Sequence, residues 1–310
     1  MPNEFPLLGE LLPEISAGTM DFSIATAVLA YATGDAFGVA YEFEPLVKRP
    51  IPKIMLGKES WPAGGVSDDT LLSLMTISCL ESEAPTDAAT NFIAKLRNSA
   101  SSLRGLGPTT RHALGIHVEE REVGIIGITN GGMMRTALLS LGFGGIKNSE
   151  RQNWVRSLCS ATHAKTEALT AALLMSEIFA STLELESWDI DSALEIARSN
   201  VDEIDEAINQ RLNDAENFST SSAGVSLNPI ETLLAVMSIV RNSQTVWDAY
   251  ENSICAGGDT DTLAALSGAL VALRKPTSYY ELDFINEVNW REIPQLEDAV
   301  SLLIQNRVRK

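Results

Sequence analysis

The chain has 310 residues, 23 basic and 41 acidic, and a formal net charge of −18. A hydrophobic content of 45% belongs to a globular protein rather than a disordered one. So much negative charge argues against a general nucleic-acid binder and against adhesion to an anionic membrane, because phosphates would be repelled.

In chain order, Met1-Pro2-Asn3-Glu4 has no basic start and no apolar run behind it, so no signal peptide is expected. No purely apolar run reaches the length of a membrane span, and the default location is the cytoplasm. Helical periodicity predicts helices over 22–37, 71–82 and 88–97. The one strand-like stretch, Val123 to Ile128, is short and runs into Thr129-Asn130-Gly131-Gly132. From Ala164 the apolar positions Ala168, Ala171, Ala172, Met175 and Phe179 mark one helical face, with Thr162 as its N-cap. Further helices are expected over 187–212, 231–242, 261–273 and 297–306. Residues 183–217 carry eleven acids and two bases, about half of the net charge, and read as a solvated helical face. Residues 219–228 form a surface loop ahead of Pro229 at a helix start. No linker composition divides the chain. The expectation is therefore an all-α, single-domain bundle of many helices over residues 1–310, with alanine and glycine permitting close helix packing.

Cys79, Cys159 and Cys255 are odd in number and far apart, which disfavours a disulfide framework or a zinc ribbon. Three histidines without an HExxH motif disfavour a histidine-rich zinc site. One pattern occurs twice: Gly64-Gly65-Val66-Ser67-Asp68-Asp69-Thr70-Leu71 and Gly257-Gly258-Asp259-Thr260-Asp261-Thr262-Leu263. Each is a Gly-Gly turn, a knot of oxygen side chains and an apolar helix. Oxygen-only ligands suit hard cations such as Mg²⁺ or Mn²⁺. Taken singly, either knot reads as a helix cap with acids complementing the dipole. Taken together, they offer four carboxylates, enough for a pair of divalent ions. The Gly-Gly turns also present backbone N–H groups that could hold a phosphate. A third element, Gly34-Asp35-Ala36-Phe37-Gly38, precedes Glu42, which sits between Tyr41 and Phe43. A carboxylate between aromatics can have a raised pKa and act as acid or base.

These elements, with Asn130-Gly131-Gly132-Met133-Met134-Arg135 and Thr162-His163, resemble in order the ADP-ribosylglycohydrolases, a family that takes in the dinitrogenase reductase-activating glycohydrolase and the J-type lens crystallins. The resemblance spans residues 34 to 262. It implies an all-α fold holding two Mg²⁺ or Mn²⁺ ions, ligated by Ser67, Asp68, Asp69, Asp259, Asp261 and Thr262. Ser67 stands where the family usually has threonine. The segment Asn130, Gly131, Gly132, Met133 and Arg135 would line the ADP-ribose pocket, and His163 would approach the phosphates or the distal ribose. Amides of Gly257 and Gly258 would hold the pyrophosphate.

Some arginine-directed members carry an aspartate whose counterpart here is Gly105, in Gly105-Leu106-Gly107-Pro108-Thr109-Thr110-Arg111. Serine- and polymer-directed relatives use a glutamate matching Glu42. The resemblance therefore implies hydrolysis of the N- or O-glycosidic bond of ADP-ribose to a protein side chain or small acceptor, with O-linked substrates slightly favoured. Water activated by the ions or steered by Glu42 would attack the anomeric carbon through an oxocarbenium-like transition state. Glu42, or a ligand carboxylate such as Asp68 or Asp261, would handle the proton. The alternatives are a catalytically silent, crystallin-like or ADP-ribose-binding relative, and a metal-dependent nucleotide phosphohydrolase.

Overall fold

The computed structural model of the protein describes residues 6–58 and 61–309; the leader-free reading of Met1-Pro2-Asn3-Glu4 falls outside them. Among the described residues there is no strand, only isolated bridges at Lys58–Trp61 and Val225–Gly258. The α-helices are α1 (Pro6–Leu11), α2 (Met20–Gly38), α3 (Asp68–Ser78), α4 (Pro85–Ser99), α5 (Pro108–Ala113), α6 (Gly131–Ala137) and α7 (Ser149–Ser160). They continue with α8 (Thr166–Glu184), α9 (Ile190–Asn200), α10 (Glu206–Asn213), α11 (Pro229–Arg241), α12 (Val246–Ala256), α13 (Thr260–Arg274) and α14 (Leu296–Arg309).

Helix α2 is apolar all round and is buried from Ile24 to Gly38, the pattern of a helix enclosed by others rather than lying on a surface. By length and hydropathy, Met20–Tyr41 could cross a membrane, but 94% of its apolar window lies inside the protein, as a core helix. Thr19 starts it, its hydroxyl accepting from the Phe22 amide at 3.1 Å. Helix α13, buried from Thr260 to Leu273, lies directly against it. Small residues make that approach possible: a Cβ on Gly34 would fall 2.4 Å from the Ala264 carbonyl oxygen. Tyr250 of α12 packs against Gly268 and donates to the Ala30 carbonyl at 2.6 Å, tying α12 to both central helices. Each Leu, Ile or Phe buried around this axis contributes about 1.5–3 kcal/mol.

The structure departs from the periodicity in four places. Residues 187–212 are two helices, because Glu203 adopts a left-handed φ of 55° between α9 and α10. Val123 lies in a 3-10 segment, Glu120–Ile125, whose turn is closed by a Glu119–Glu122 capping box. Thr162 does not cap α8; the N-cap is Lys165, without a side-chain bond. The 219–228 loop is exposed only in part: Gly224 and Val225 are buried against the Gly257-Gly258 turn, with Val225 N–H bonded to Gly257 O and Asp259 N–H to Val225 O, both at 3.0 Å.

Candidate active site

The two acidic knots meet because α3 and α13 both begin at the C-terminal end of α2. Asp35, near that end, accepts from the Ser67 amide at 3.0 Å, the Thr70 amide at 3.0 Å and the Thr70 hydroxyl at 2.5 Å. One carboxylate on α2 thus caps α3 from outside. Thr260 anchors α13 to α2 through its hydroxyl, which donates to the Gly38 carbonyl at 2.8 Å. The knots are then joined directly: the Thr262 hydroxyl donates to Asp69 Oδ2 at 2.7 Å.

The resulting cleft is lined by Glu42, Asp68, Asp69, Asp259, Asp261 and Thr262 on one wall. Asn130, Gly131, Thr129 and His163 form another, with Gly105 and Trp61 at a third side. Oxygens of Glu42, Asp259 and Asp261 all lie within 4.8 Å of one another. Asn130 is the brace between the walls. Its amide nitrogen donates to Thr232 Oγ1 at 3.0 Å and, through a short contact, to Asp259 Oδ2. Its own backbone N–H is held by the Leu227 carbonyl at 2.9 Å.

Electrostatics in the cleft run against ionisation. Burial, with Asp261 as the next cause, pushes Asp35 up to about 7 and Glu42 up to about 8. The carboxyls of Asp68, Asp69 and Asp259 are raised well above the ordinary range by burial first and Asp261 second. Asp261 is also raised by burial, offset in part by its contact with the Asp259 carboxyl. The ammonium of Lys58 opposes the rise at Glu42, but its hydrogen bond goes to the Glu42 carbonyl at 2.6 Å and its ion pair to Glu44 at 3.3 Å. Carboxylates crowded in this way need protons or cations to balance them.

A family model for ADP-ribosylglycohydrolase matches residues 21–308, nearly the whole chain. The chain belongs to the ADP-ribosylglycohydrolase family. A solved structure described as an ADP-ribosylglycohydrolase-related protein complex has the same fold, with a TM-score of 0.69 and 21% identity over 93% of this chain and 98% of that one. No curated protein matches the chain. Membership implies a hydrolase of the ADP-ribosyl glycohydrolase type.

In this family member not every residue singled out in the motifs lines the cleft. Ser67 is buried and caps α3, its hydroxyl accepting from the Asp69 amide at 3.0 Å. Met133 points into the core, and Gly132 packs on Cys159, where a Cβ would lie 2.6 Å from the sulfur. Arg135 does not line the pocket. It is fully buried under α7, donating to the Leu158 carbonyl at 2.8 Å and the Thr162 hydroxyl at 2.9 Å and lying 4.2 Å over the Phe92 ring. On the same helix, Gly131 and Met134 are the residues that line the cleft.

Two of the four amides in the Gly-Gly turns are taken by the backbone. Gly257 N–H is bonded to the Ser253 and Ile254 carbonyls, ending α12, and Gly65 N–H to Pro62. Both glycines of the second turn have positive φ, 70° and 78°, and a Cβ on Gly258 would lie 2.0 Å from the Val225 oxygen. Backbone shape requires glycine there. Asp259 does not act as a side-chain cap for α13. Asp35 is the functional group the motifs left without a role; its signal was a carboxylate set inside an otherwise apolar helix. Thr129 and Leu227 carried no signal, since their places depend on tertiary contacts.

Proposed function

We infer that the protein hydrolyses the bond between ADP-ribose and an oxygen acceptor, a serine side chain or an O-acyl group, with two divalent cations in the acidic cleft. The carrying observation is the convergence of Glu42, Asp68, Asp69, Asp259 and Asp261 on one cavity without a basic side chain bonded to any of these carboxyl oxygens among the described residues. Such a donor set fits Mg²⁺ or Mn²⁺. Asp68, Asp69, Asp259 and Asp261 would hold the ions, with Thr262 adding its hydroxyl oxygen. Bound ions would supply Lewis acidity and orient the hydroxyls of the distal ribose.

The protein's own groups do the rest. Asn130 fixes Asp259 in place. Glu42, half-buried at the edge and raised to about 8, is the group suited to carry a proton near neutral pH. It takes a proton from the attacking water or delivers one to the leaving oxygen. A buried, walled cleft strengthens these contacts as charge develops at the anomeric carbon.

The preference for oxygen acceptors rests on Gly105. Its φ is +90°, and a Cβ there would lie 2.6 Å from Asp68 Oδ1. A side chain at this left-handed φ would be strained and would have to displace the Asp68 carboxylate, so the extra carboxylate that the resemblance associates with arginine substrates fits poorly here. The test is incubation of the purified protein with Mg²⁺ or Mn²⁺ and serine-linked, O-acetyl and arginine-linked ADP-ribose. Release of free ADP-ribose, fastest from the O-linked substrates, supports the reading. Release of phosphate or a nucleoside monophosphate, no release, or an arginine preference counts against it.

A further inference from the structure

We propose that a hydrogen-bond relay from the buried Arg135 through Thr162, His163 and Thr129 to Thr109 runs in one direction, so that this corner of the cleft offers a lone pair and receives a hydroxyl of the ligand rather than a phosphate. The inference deepens the ADP-ribose reading and rests on it for the identity of the ligand only.

The accounting starts from the two ends. A guanidinium only donates, so the 2.9 Å bond from Arg135 Nη2 makes the Thr162 oxygen an acceptor. At the other end, the Thr129 hydroxyl donates to Thr109 Oγ1 at 2.9 Å, and Thr109 also accepts from the Gly127 amide at 2.9 Å. Thr129 has a single hydrogen and has used it. Its 2.9 Å contact with His163 Nε2 therefore has Nε2–H as the donor. His163 is buried and close to the Arg135 charge, and both causes, burial first, push it down to about 3. The imidazole is neutral and carries its one hydrogen on Nε2. Nδ1 is then an acceptor, and the 2.7 Å contact with Thr162 has the hydroxyl donating to it. Every bond points the same way, from Arg135 to Thr109.

Two consequences follow for the cleft. His163 has no spare N–H for a phosphate oxygen, although its ring lines the wall. Thr129, also on the wall, presents only its remaining lone pair. A phosphate oxygen facing it would meet an acceptor without a hydrogen, whereas a ribose hydroxyl could donate. Arg135 is a positioning residue here: it touches no cleft surface and acts through Thr162.

The experiment is long-range ¹⁵N–¹H NMR of the histidine rings in the full chain, where only His112, His117 and His163 contribute. The ligand-free protein is expected to show His163 as the Nε2–H tautomer. Thr162→Val should draw the two ring-nitrogen signals together and weaken ADP-ribose binding about tenfold, the order of one hydrogen bond. Thr162→Ser should restore both. ADP-ribose should move the His163 Nε2 signal and inorganic pyrophosphate should not. An Nδ1–H or doubly protonated ring, a Thr162→Val protein with the wild-type tautomer, or a shift of Nε2 by pyrophosphate overturns the proposal. The tautomer is read without ligand, so a wild-type protein that does not bind ADP-ribose would count against the function and leave the relay to be decided by the ring signals.

Discussion

Gly38 and Asp261 meet backbone to backbone: a Cβ on Gly38 would lie 2.4 Å from the Asp261 Cα. The carboxylate at the middle of the acidic cluster is thus seated by the absence of a side chain on the neighbouring helix. Nothing at this contact is a flexible side-chain tip that could yield, so any β-carbon must push α2 and α13 apart. Gly38→Ala is expected to cost at least about 1–3 kcal/mol, the range for overpacked cores. Activity should fall further than stability alone explains, since Asp261 moves with its helix. Urea midpoints and turnover, measured side by side, check both.

Asp261→Asn separates a capping role from a charged one. Asparagine keeps the oxygen that accepts from the Thr262 amide at 3.0 Å and removes one negative charge from a crowded set. In EDTA the variant should melt at or above the wild-type temperature, because it relieves repulsion. In millimolar Mg²⁺ or Mn²⁺ the wild type should gain several degrees and the variant little. Turnover should drop by about two orders of magnitude or more. Near-normal turnover would show that Asp261 serves only the helix.

His163 makes a specific contribution to pH dependence. Its folded pKa of about 3 lies below the ordinary 6.5. As pH falls below 6.5 the unfolded chain takes up a proton and the folded protein does not. Stability from this group is therefore full above 6.5 and is lost as pH falls from 6.5 towards 3, by up to about 1.4 kcal/mol per pH unit. Comparing urea midpoints of wild type and His163→Gln at several pH values tests the sign: the variant should lose less between neutral and mildly acidic conditions.

Glu42→Gln keeps the size and the backbone carbonyl that Lys58 holds, but cannot exchange a proton. Release of ADP-ribose from serine-linked substrate should fall about 100-fold or more, within the usual range for losing an acid or base. Metal affinity, read by calorimetry, should change much less if Glu42 moves protons rather than binding ions. Full activity would place the acid–base group elsewhere.

The fold class was legible because α8 and α11 show a helical apolar pattern, while α2 and α13 are long, almost wholly apolar runs. Helices α5 and α6 were not, being six and seven residues long, and α7 is polar apart from its buried Trp154, Val155 and Leu158 face. The acidic half of the site was legible because its residues cluster in two short motifs. Of the opposite wall, Asn130, Gly131 and His163 were legible through their motifs, whereas Thr129 and Leu227 were not, because bonds to Thr109 and Asn130 place them and no local spacing encodes those. Arg135 shows the limit most plainly. Its motif put it beside the pocket, while its bonds to Leu158 and Thr162 and its contact with the Phe92 ring hold it in the core.

The pairing of α2 with α13 also bears on how the protein is made. The earlier helix leaves the ribosome with Gly34 and Gly38 bare, and the surface that covers them begins only at Thr260. At roughly 5–20 residues per second, that leaves about 10–45 s in which the most apolar segment of the chain has no partner. During that interval it must be shielded by the nascent neighbours α3 to α12 or by a chaperone. Chains released before residue 260 should be recovered insoluble, and the full-length chain should depend on chaperone supply during synthesis more than its folded stability would suggest.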